Sequence, residues 1–363
     1  MPLEFLIDGA TPGLISFGIG ATSMSYIEWL VHKLMLHDIQ DKEGKSKLGP
    51  ISKNSTHSHH DIHHGAYRGN QHYYQDITNE DEVIHFSKKY VAIIESMAGL
   101  AGLAVNRVYT QFTMTDHGLN SGDITGPLGF MLAATIGYAG YEISHHYMHV
   151  IGKRRLAINN ELGDAIQGTR DGNLRLSKPV LDQIGNAIED YVDENIQQGH
   201  PAKLTVPQDL IGTVNEQIEI NRQRQDVNLL DTPLEEVLVY VAEKMFKREQ
   251  EIRDSLDKKD AAKYWLDRKV QKLFRGSETP IGKYFRFIDN HHFLHHGDFN
   301  SNLNVFIPLA DLDLGTFKDS SVERLNRDQK YWLCPNSPDT EKFREKYERK
   351  QQARQAKTGY APA

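Results

Sequence analysis

Histidines gathered in four short segments constrain this chain more than any other feature of its sequence. The chain has eighteen histidines, and fourteen of them lie within residues 32–37, 57–64, 145–149 and 291–296. A lone histidine is more often an ordinary core or surface residue than a metal ligand, but four clusters with ligand spacing favour a metal site. The single cysteine, Cys334, excludes an internal disulfide and any multi-cysteine metal site. We therefore expect nitrogen or oxygen atoms to hold the metal.

The spacing inside the clusters predicts that their imidazoles converge. Residues at i, i+3 and i+4 share one helical face, which is the arrangement of His60, His63 and His64. Glu28 lies four residues before His32, where its carboxylate could orient that imidazole from behind. Ten histidines in the four clusters have ligand spacing: His32, His37, His60, His63, His64, His145, His149, His292, His295 and His296.

Ten imidazoles exceed what one metal ion uses. Catalytic zinc typically takes three protein ligands and a water molecule. Divided between two ions, the ten histidines supply about five nitrogens each and leave a position for oxygen or substrate. Imidazole suits iron, copper, nickel and zinc alike, so the ligand type does not choose the metal. The HExxH motif of zinc peptidases is absent from the sequence.

Three apolar stretches, residues 13–36, 88–106 and 125–143, are long enough for helices. None reaches the ~20 uninterrupted apolar residues that a membrane-spanning helix needs. Glu28 interrupts the first stretch and Glu142 ends the third. Two interpretations stay open. The stretches are buried helices of a soluble protein, or they are membrane-associated helices whose carboxylates face a polar interior around a metal.

The composition changes after about residue 152 and divides the chain. A polar segment with amphipathic helical patterns follows, over residues 153–280, and predicts a helical insert or cap. We predict a mainly α fold, in which a helical bundle from residues 1–152 and 281–320 carries a histidine-rich dinuclear metal site. Residues 321–363 are predicted to be a charged C-terminal tail. The insert either covers the metal site or serves solubility or self-association.

The net charge and the N-terminal sequence limit the expected binding partners and cellular compartment. The formal net charge is −7, and no basic stripe suits nucleic acid, so we expect no nucleic-acid partner. The first residues lack the basic and apolar regions of a secretory signal. We therefore expect the catalytic face to be cytoplasmic.

Four segments together resemble the fatty acid hydroxylase and sterol desaturase superfamily, and most closely its fatty acid 2-hydroxylase pattern. Residues 28–37 are similar to the E-[YW]-x-x-H-[RK]-x-x-x-H segment, and residues 60–64 to the first HxxHH motif. Residues 137–149 are similar to the stretch that ends in HxxxH. Residues 282–296 are similar to the closing HxxHH segment, and Asn302, residues 308–311 and residues 315–316 are similar to its trailing N-x-G, P-L-W-D and G-T elements.

The resemblance covers about residues 15–150 and 281–317, in the order of the family. It implies that the ten histidines hold two iron ions, which use O2 and two electrons to hydroxylate an unactivated C–H bond. It further implies a membrane-associated enzyme that acts on a lipid-like or carrier-bound substrate. We find no haem or ferredoxin motif, so the electrons are expected from an external cytochrome, ferredoxin or reductase.

Other functions are compatible with the same histidines. A desaturase, or another di-iron oxidase that acts on a soluble small molecule in the cytoplasm, would share this ligand set. A non-catalytic zinc-binding protein belongs to a different class. Structural zinc normally closes with four ligands, so ten clustered histidines fit that class poorly.

Overall fold

The computed structural model describes residues 3–33, 63–64, 73, 88–112, 122–167, 174–198, 203–224, 229–275, 278–333 and 349. Within these residues the chain is mainly helical, and the β pairing is a single bridge between Leu176 and Leu333. This confirms the mainly α class predicted from the sequence. Two of the predicted ligands, His37 and His60, lie outside the described residues.

The helices follow the patterns read from the sequence. Each of the three apolar stretches is helical over its described residues, and so are the amphipathic patterns of the polar segment. The helices of the described residues are α1 (Leu3–Val31), α2 (Lys88–Phe112), α3 (Gly122–Gln167), α4 (Lys178–Gln198), α5 (Gln208–Gln223), α6 (Leu234–Ser255), α7 (Lys258–Arg275), α8 (Pro280–Gly297), α9 (Leu309–Asp313) and α10 (Val322–Arg327).

The chain divides into two compact units. Residues 281–298, which carry the fourth histidine cluster, share a unit with the helices of the predicted insert. Residues 321–333, the first part of the predicted tail, belong to that unit as well. Unit 1 is Met1–His63, Glu80–His146 and Phe299–Lys318; unit 2 is His64–Asn79, Tyr147–Asp298 and Asp319–Ala363.

Unit 1 packs its helices through small residues. A Cβ added at Gly129 of α3 would clash with the carbonyl oxygen of Gly13 in α1, so only glycine permits this approach. Ser16 and Asn106 are also buried. Many large apolar side chains of the three helices are exposed instead: Leu14, Ile15, Ile19, Ile27, Leu30, Leu100, Val108, Ile124, Leu128, Leu132, Ile136 and Ile143.

One helical segment of unit 1, Thr11–Val31, is long and apolar enough to cross a membrane. Only 22% of its apolar window is buried. Core helices of soluble proteins and signal sequences pass the same test of length and composition. Among the described helices no other one passes it.

Unit 2 has an extended apolar core. It joins the second part of α3 to α4, α5, α6 and α8, and includes Ile184, Leu238 and Phe293, each at most 1% exposed. Leu325 and Trp332, which follow the predicted boundary of the tail, are buried in the same unit. Phe293 lies next to His292 in α8, so the apolar core fixes the helix that carries the last histidine cluster.

Candidate metal centre

Unit 2 brings together five of the predicted ligands from three separate segments of the chain. Helix α8 contributes three of them at i, i+3 and i+4, the spacing that places side chains on one helical face. Four of the five are at most 1% exposed. The five are His64, His149, His292, His295 and His296.

The ring nitrogens of these histidines lie at the separations found around a metal ion. The Nε2 atoms of His292 and His296 are 3.0 Å apart, and those of His64 and His295 are 3.2 Å apart. Ring nitrogens of His149, His292 and His296 lie within 4.8 Å of one another. Metal–imidazole bonds of about 2.0–2.1 Å place neighbouring ligand atoms roughly 3–4 Å apart, so this donor set fits a metal that prefers nitrogen.

Unit 1 holds three further predicted ligands. The Nε2 atoms of His63 and His145 lie 3.3 Å apart, and both residues are buried. Tyr141 stacks on His145 with ring centroids 5.6 Å apart and an angle of 6° between the rings. His32, near the end of α1, is 1% exposed. His145 and His149 are one helical turn apart in α3, and the boundary between the two units falls between them.

Tyr73 lies over the histidine cluster of unit 2. Its ring centroid is 5.5 Å from that of His296 and 6.2 Å from those of His149 and His292. Its hydroxyl donates a hydrogen bond of 2.5 Å to the carboxylate of Asp289. Since Tyr73 is 1% exposed, this contact holds a buried aromatic ring against three candidate ligands.

A buried lysine, Lys178, bonds to the same carboxylate as Tyr73. The ammonium of Lys178 donates to Asp182 at 2.7 Å, to Asn290 at 3.0 Å and to Asp289. Burial alone would lower the pKa of Lys178, but the carboxylates of Asp182 and Asp289 outweigh it and raise the pKa. The charged lysine of the predicted insert therefore anchors the two residues that directly precede the last histidine cluster.

The insert also contacts the segment that carries His149. Tyr147 stacks on Phe274 with centroids 5.1 Å apart, and its hydroxyl donates to Asp267 at 3.1 Å. Phe274 in turn packs against Phe285 of α8 at 4.7 Å. Helices of the insert are thus part of the packing that positions the histidines of unit 2.

A second buried polar array in unit 2 consists of opposite charges. Arg268 donates to Glu249 at 2.7 Å, to Glu189 at 3.0 Å and to Asp193. Arg154 donates to Glu189 at 2.7 Å. Burial alone would raise the pKa of Glu189, but the surrounding arginines hold it well below its ordinary value. This network ties α3, α4, α6 and α7 together.

Glu28 has a different role from the one predicted. Its carboxylate accepts backbone hydrogen bonds from Val305 at 2.5 Å and Phe306 at 3.2 Å, and a side-chain bond from Asn304 at 3.3 Å. Among the described residues it bonds no imidazole. Burial of three donors without a nearby acceptor would be costly, so Glu28 fixes the segment after the last histidine cluster rather than a ligand.

That segment makes further bonds to α1 in unit 1. The hydroxyl of Ser25 donates to the carbonyl of Ile307 at 2.6 Å and accepts from the backbone of Ala310 at 2.9 Å. The indole of Trp29 donates to Thr316 at 2.9 Å. Ala310 and Thr316, which belong to the segments similar to the P-L-W-D and G-T elements, therefore help to hold this segment on α1.

An apolar cavity in unit 1 ends at one of the predicted ligands. Its walls come from α1, from α3 and from Phe306 of the anchored segment. Next to this wall, Gly140 lies against the ring of Phe306, and a Cβ there would clash unless the ring moved. The lining residues are Met24, Ser25, Ile27, Glu28, Val31, His32, Gly137, Tyr138, Tyr141, Phe306 and Ile307.

Sequence reasoning missed the residues behind the cluster. Asp289 and Asn290 directly precede the histidines of α8, and that adjacency was the available signal. Tyr73 and Lys178 belong to no motif and are distant in the chain, so only the fold reveals them.

The chain was compared with known proteins at three levels. No protein-family model, no curated protein and no solved structure matches it.

Proposed function

We propose that this chain is a non-haem di-iron oxygenase that uses O2 to hydroxylate a C–H bond of a lipid-like or carrier-bound substrate. The observation that supports it is the buried imidazole cluster, in which His149, His292 and His296 present ring nitrogens within 4.8 Å of one another. Membership of the fatty acid hydroxylase and sterol desaturase superfamily is part of the proposal and rests on the motifs.

The proposed ligands divide between two iron ions. His149, His292 and His296 would hold one ion, and His64 and His295 the other. The resemblance assigns the remaining ligands to the same pair: His32, His37, His60, His63 and His145. When bound, the iron pair supplies the activation of O2 that protein side chains alone do not provide.

The residues of the chain have three tasks in this reaction. The imidazoles fix the metals through neutral nitrogens. Tyr73, held by Asp289 and Lys178, restrains the rings of the ligands from outside, as partners of metal-bound histidines commonly do. The burial of the cluster keeps water away from a strong oxidant, which would otherwise react with solvent.

The apolar cavity of unit 1 supports a substrate with a hydrocarbon part. Most of its walls are apolar side chains, and it reaches His32. An aliphatic chain placed there would gain about 0.8 kcal/mol for each methylene removed from water. We therefore propose that the substrate enters this cavity with its apolar end.

We also propose that unit 1 associates with a membrane and that the metal site opens to the cytoplasm. The helices of unit 1 expose large apolar side chains and bury small or polar residues between them. This pattern is typical of helices packed in lipid. Thr11–Val31 is the described segment best suited to span. Extraction tests this: the protein should remain with membranes after a high-salt wash and require detergent, and release by salt alone would contradict it.

We propose that the helices of residues 153–280 control which substrate enters. Tyr147 and Phe274 join this segment to the neighbourhood of His149. Phe274→Ala should change the ratio of kcat/KM between short and long substrates and leave the metal content unchanged. An unchanged substrate profile would favour a role in solubility or self-association.

The test of the proposed function is the metal content of protein purified without oxygen and with iron supplied. We expect about two iron ions per chain, and oxygen consumption that depends on substrate and reductant. One metal per chain with full activity would contradict the dinuclear site. Zinc without oxygen consumption would indicate a structural metal protein, and mass spectrometry of the product separates hydroxylation from desaturation.

A further inference from the structure

Residues 258–286, which span α7 and the start of α8, have a charge opposite to that of the whole chain. They contain nine lysines and arginines and three acidic residues, whereas the chain has a formal net charge of −7. Two of these basic residues, Arg268 and Arg275, are buried and paired with Glu189 and Asp193. The excess positive charge therefore belongs to the other basic side chains.

The exposed face of α7 is lined with lysines. Lys259, Lys263 and Lys269 are exposed and make no ion pair with another described residue. Lys272 is 48% exposed and 4.0 Å from Asp190. These lysines lie on the exposed side of one helix and produce a positive potential there, which attracts an acidic surface.

Exposed apolar side chains occur on the same two helices. Leu266 and Leu273 are exposed on α7, and Ile281, Tyr284 and Phe287 on α8. A basic surface that also exposes apolar side chains is suited to a transient contact with an acidic protein, because charge steers the encounter and the apolar residues bind.

Helix α8 connects this face to the histidine cluster. The exposed ring of Phe287 stacks on His291, with centroids 5.9 Å apart and an angle of 27°. His291 is fully buried and precedes His292, a member of the cluster. Phe287 on this face is therefore connected to the candidate ligand His292 through its stacking contact with His291 and one peptide bond.

We propose that this face, formed by Lys259, Lys263, Lys269, Tyr284 and Phe287, is the docking surface for a small acidic one-electron carrier protein. The inference rests on the proposed oxygenase function, which needs such a donor. Hydroxylation with one O2 consumes two electrons and two protons, places one oxygen atom in the C–H bond and releases the other as water. Two reduced carriers are therefore oxidised in each turnover.

An anionic bilayer fits this face less well. A helix that lies in the membrane interface needs a continuous apolar side and a separate charged side. On α7 the exposed large apolar side chains are Leu266 and Leu273 alone, so the apolar side that could enter the lipid is short. The larger rings of α7, Trp265 and Phe274, are partly buried against the protein.

The experiment uses an acidic [2Fe–2S] ferredoxin as the probe and the full chain carrying Lys263→Glu and Lys269→Glu. The matched control carries Lys247→Glu and Arg248→Glu, the same change of charge at exposed positions of α6. Ferredoxin binding is measured by biolayer interferometry, with and without iron. At about 20 mM salt we expect at least about a tenfold weaker affinity for the α7 variant, and at about 500 mM salt no difference.

The second measurement is the rate at which reduced ferredoxin transfers an electron to the iron-loaded protein. We expect it to fall with the affinity in the α7 variant only, whereas reduction by dithionite stays unchanged. Equal ferredoxin affinity in the two variants would overturn the proposal. So would loss of binding to phosphatidylserine vesicles with ferredoxin binding intact.

The two measurements distinguish failure of the docking surface from failure of the proposed oxygenase function. If the α7 variant loses ferredoxin binding but iron-loaded wild-type protein accepts no electron from either reductant, the docking surface stands and the proposed oxygenase function fails. If dithionite reduces the protein and ferredoxin affinity is unaffected, the oxygenase function stands and the docking surface fails.

Discussion

Unit 2 contains two buried polar arrays, an arginine–carboxylate network and a histidine cluster, and they differ in how their polar groups are paired. The arginine network pairs Arg154, Arg268 and Arg275 with carboxylates, so each buried charge meets its opposite. The histidine cluster gathers residues of one kind, whose ring nitrogens could hold a metal ion. The arginine network is balanced by carboxylates within the protein, whereas a bound ion would be needed to bridge the histidines. We therefore expect the arginine network to act mainly on stability and the histidine cluster to act on metal binding.

Removing one proposed ligand should give the largest effect on turnover, because it removes a bond to the metal and not a contact that only stabilises the fold. His295→Ala and His63→Ala should each reduce turnover at least about a hundredfold, since loss of a direct ligand exceeds the 10–100-fold effect of an outer partner. Steady-state oxygen consumption and metal analysis provide the measurement. His200→Ala, an isolated histidine of the sequence outside the described residues, is the control. A comparable loss in that control would remove the basis for singling out the clusters.

Breaking the arginine network should act on stability. Arg268→Ala leaves Glu189, Glu249 and Asp193 with less compensation in a buried site, and we expect unfolding to become easier by about 3–5 kcal/mol. Urea denaturation monitored by circular dichroism measures this. Arg222→Ala, which removes a pair with 51% exposure of the arginine, should cost less than about 1 kcal/mol. Similar losses of unfolding free energy in both variants would mean that the buried arginine network stabilises the protein no more than an exposed ion pair does.

Metal addition should stabilise only one of the two arrays. Ferrous iron at about a hundredfold excess over its Kd should raise the free energy of unfolding of the wild type by about 2.7 kcal/mol for each ion bound. The double variant His292→Ala/His296→Ala should lose at least the contribution of the ion that these two residues would hold, whereas Arg268→Ala should retain the full gain if folded. Thermal denaturation under anaerobic conditions measures the shift. A full gain in the double variant would place the metal elsewhere.

Acid should weaken the network through its carboxylates. Because the pKa of Glu189 is depressed in the folded state, its contribution is present above the ordinary value of 4.5 and is lost as the pH falls below it. In Glu189→Gln the loss of stability between about pH 6 and about pH 3 should be smaller by about 1–2 kcal/mol. Urea midpoints at the two pH values test this, and equal losses in both proteins would contradict the assignment.

Histidine spacing predicts a large part of the candidate site. The i, i+3, i+4 pattern of His292, His295 and His296 predicts one helical face, and α8 places all three in the cluster. The predicted role of Glu28 is wrong because it used the same local rule. Its position four residues before His32 suggests a contact along the helix, but its carboxylate bonds the backbone near residue 305 instead.

The sequence alone determined the ligand type, the number of candidate ligands and the helices that carry them, because helical periodicity is a local property. Tertiary structure decided which ligands meet. It brings His145 to His63 and His149 to His292 and His296, and it brings Tyr73, Lys178 and Asp289 together from distant parts of the chain. Such contacts depend on how side chains pack between helices, and no repeat within one helix encodes them.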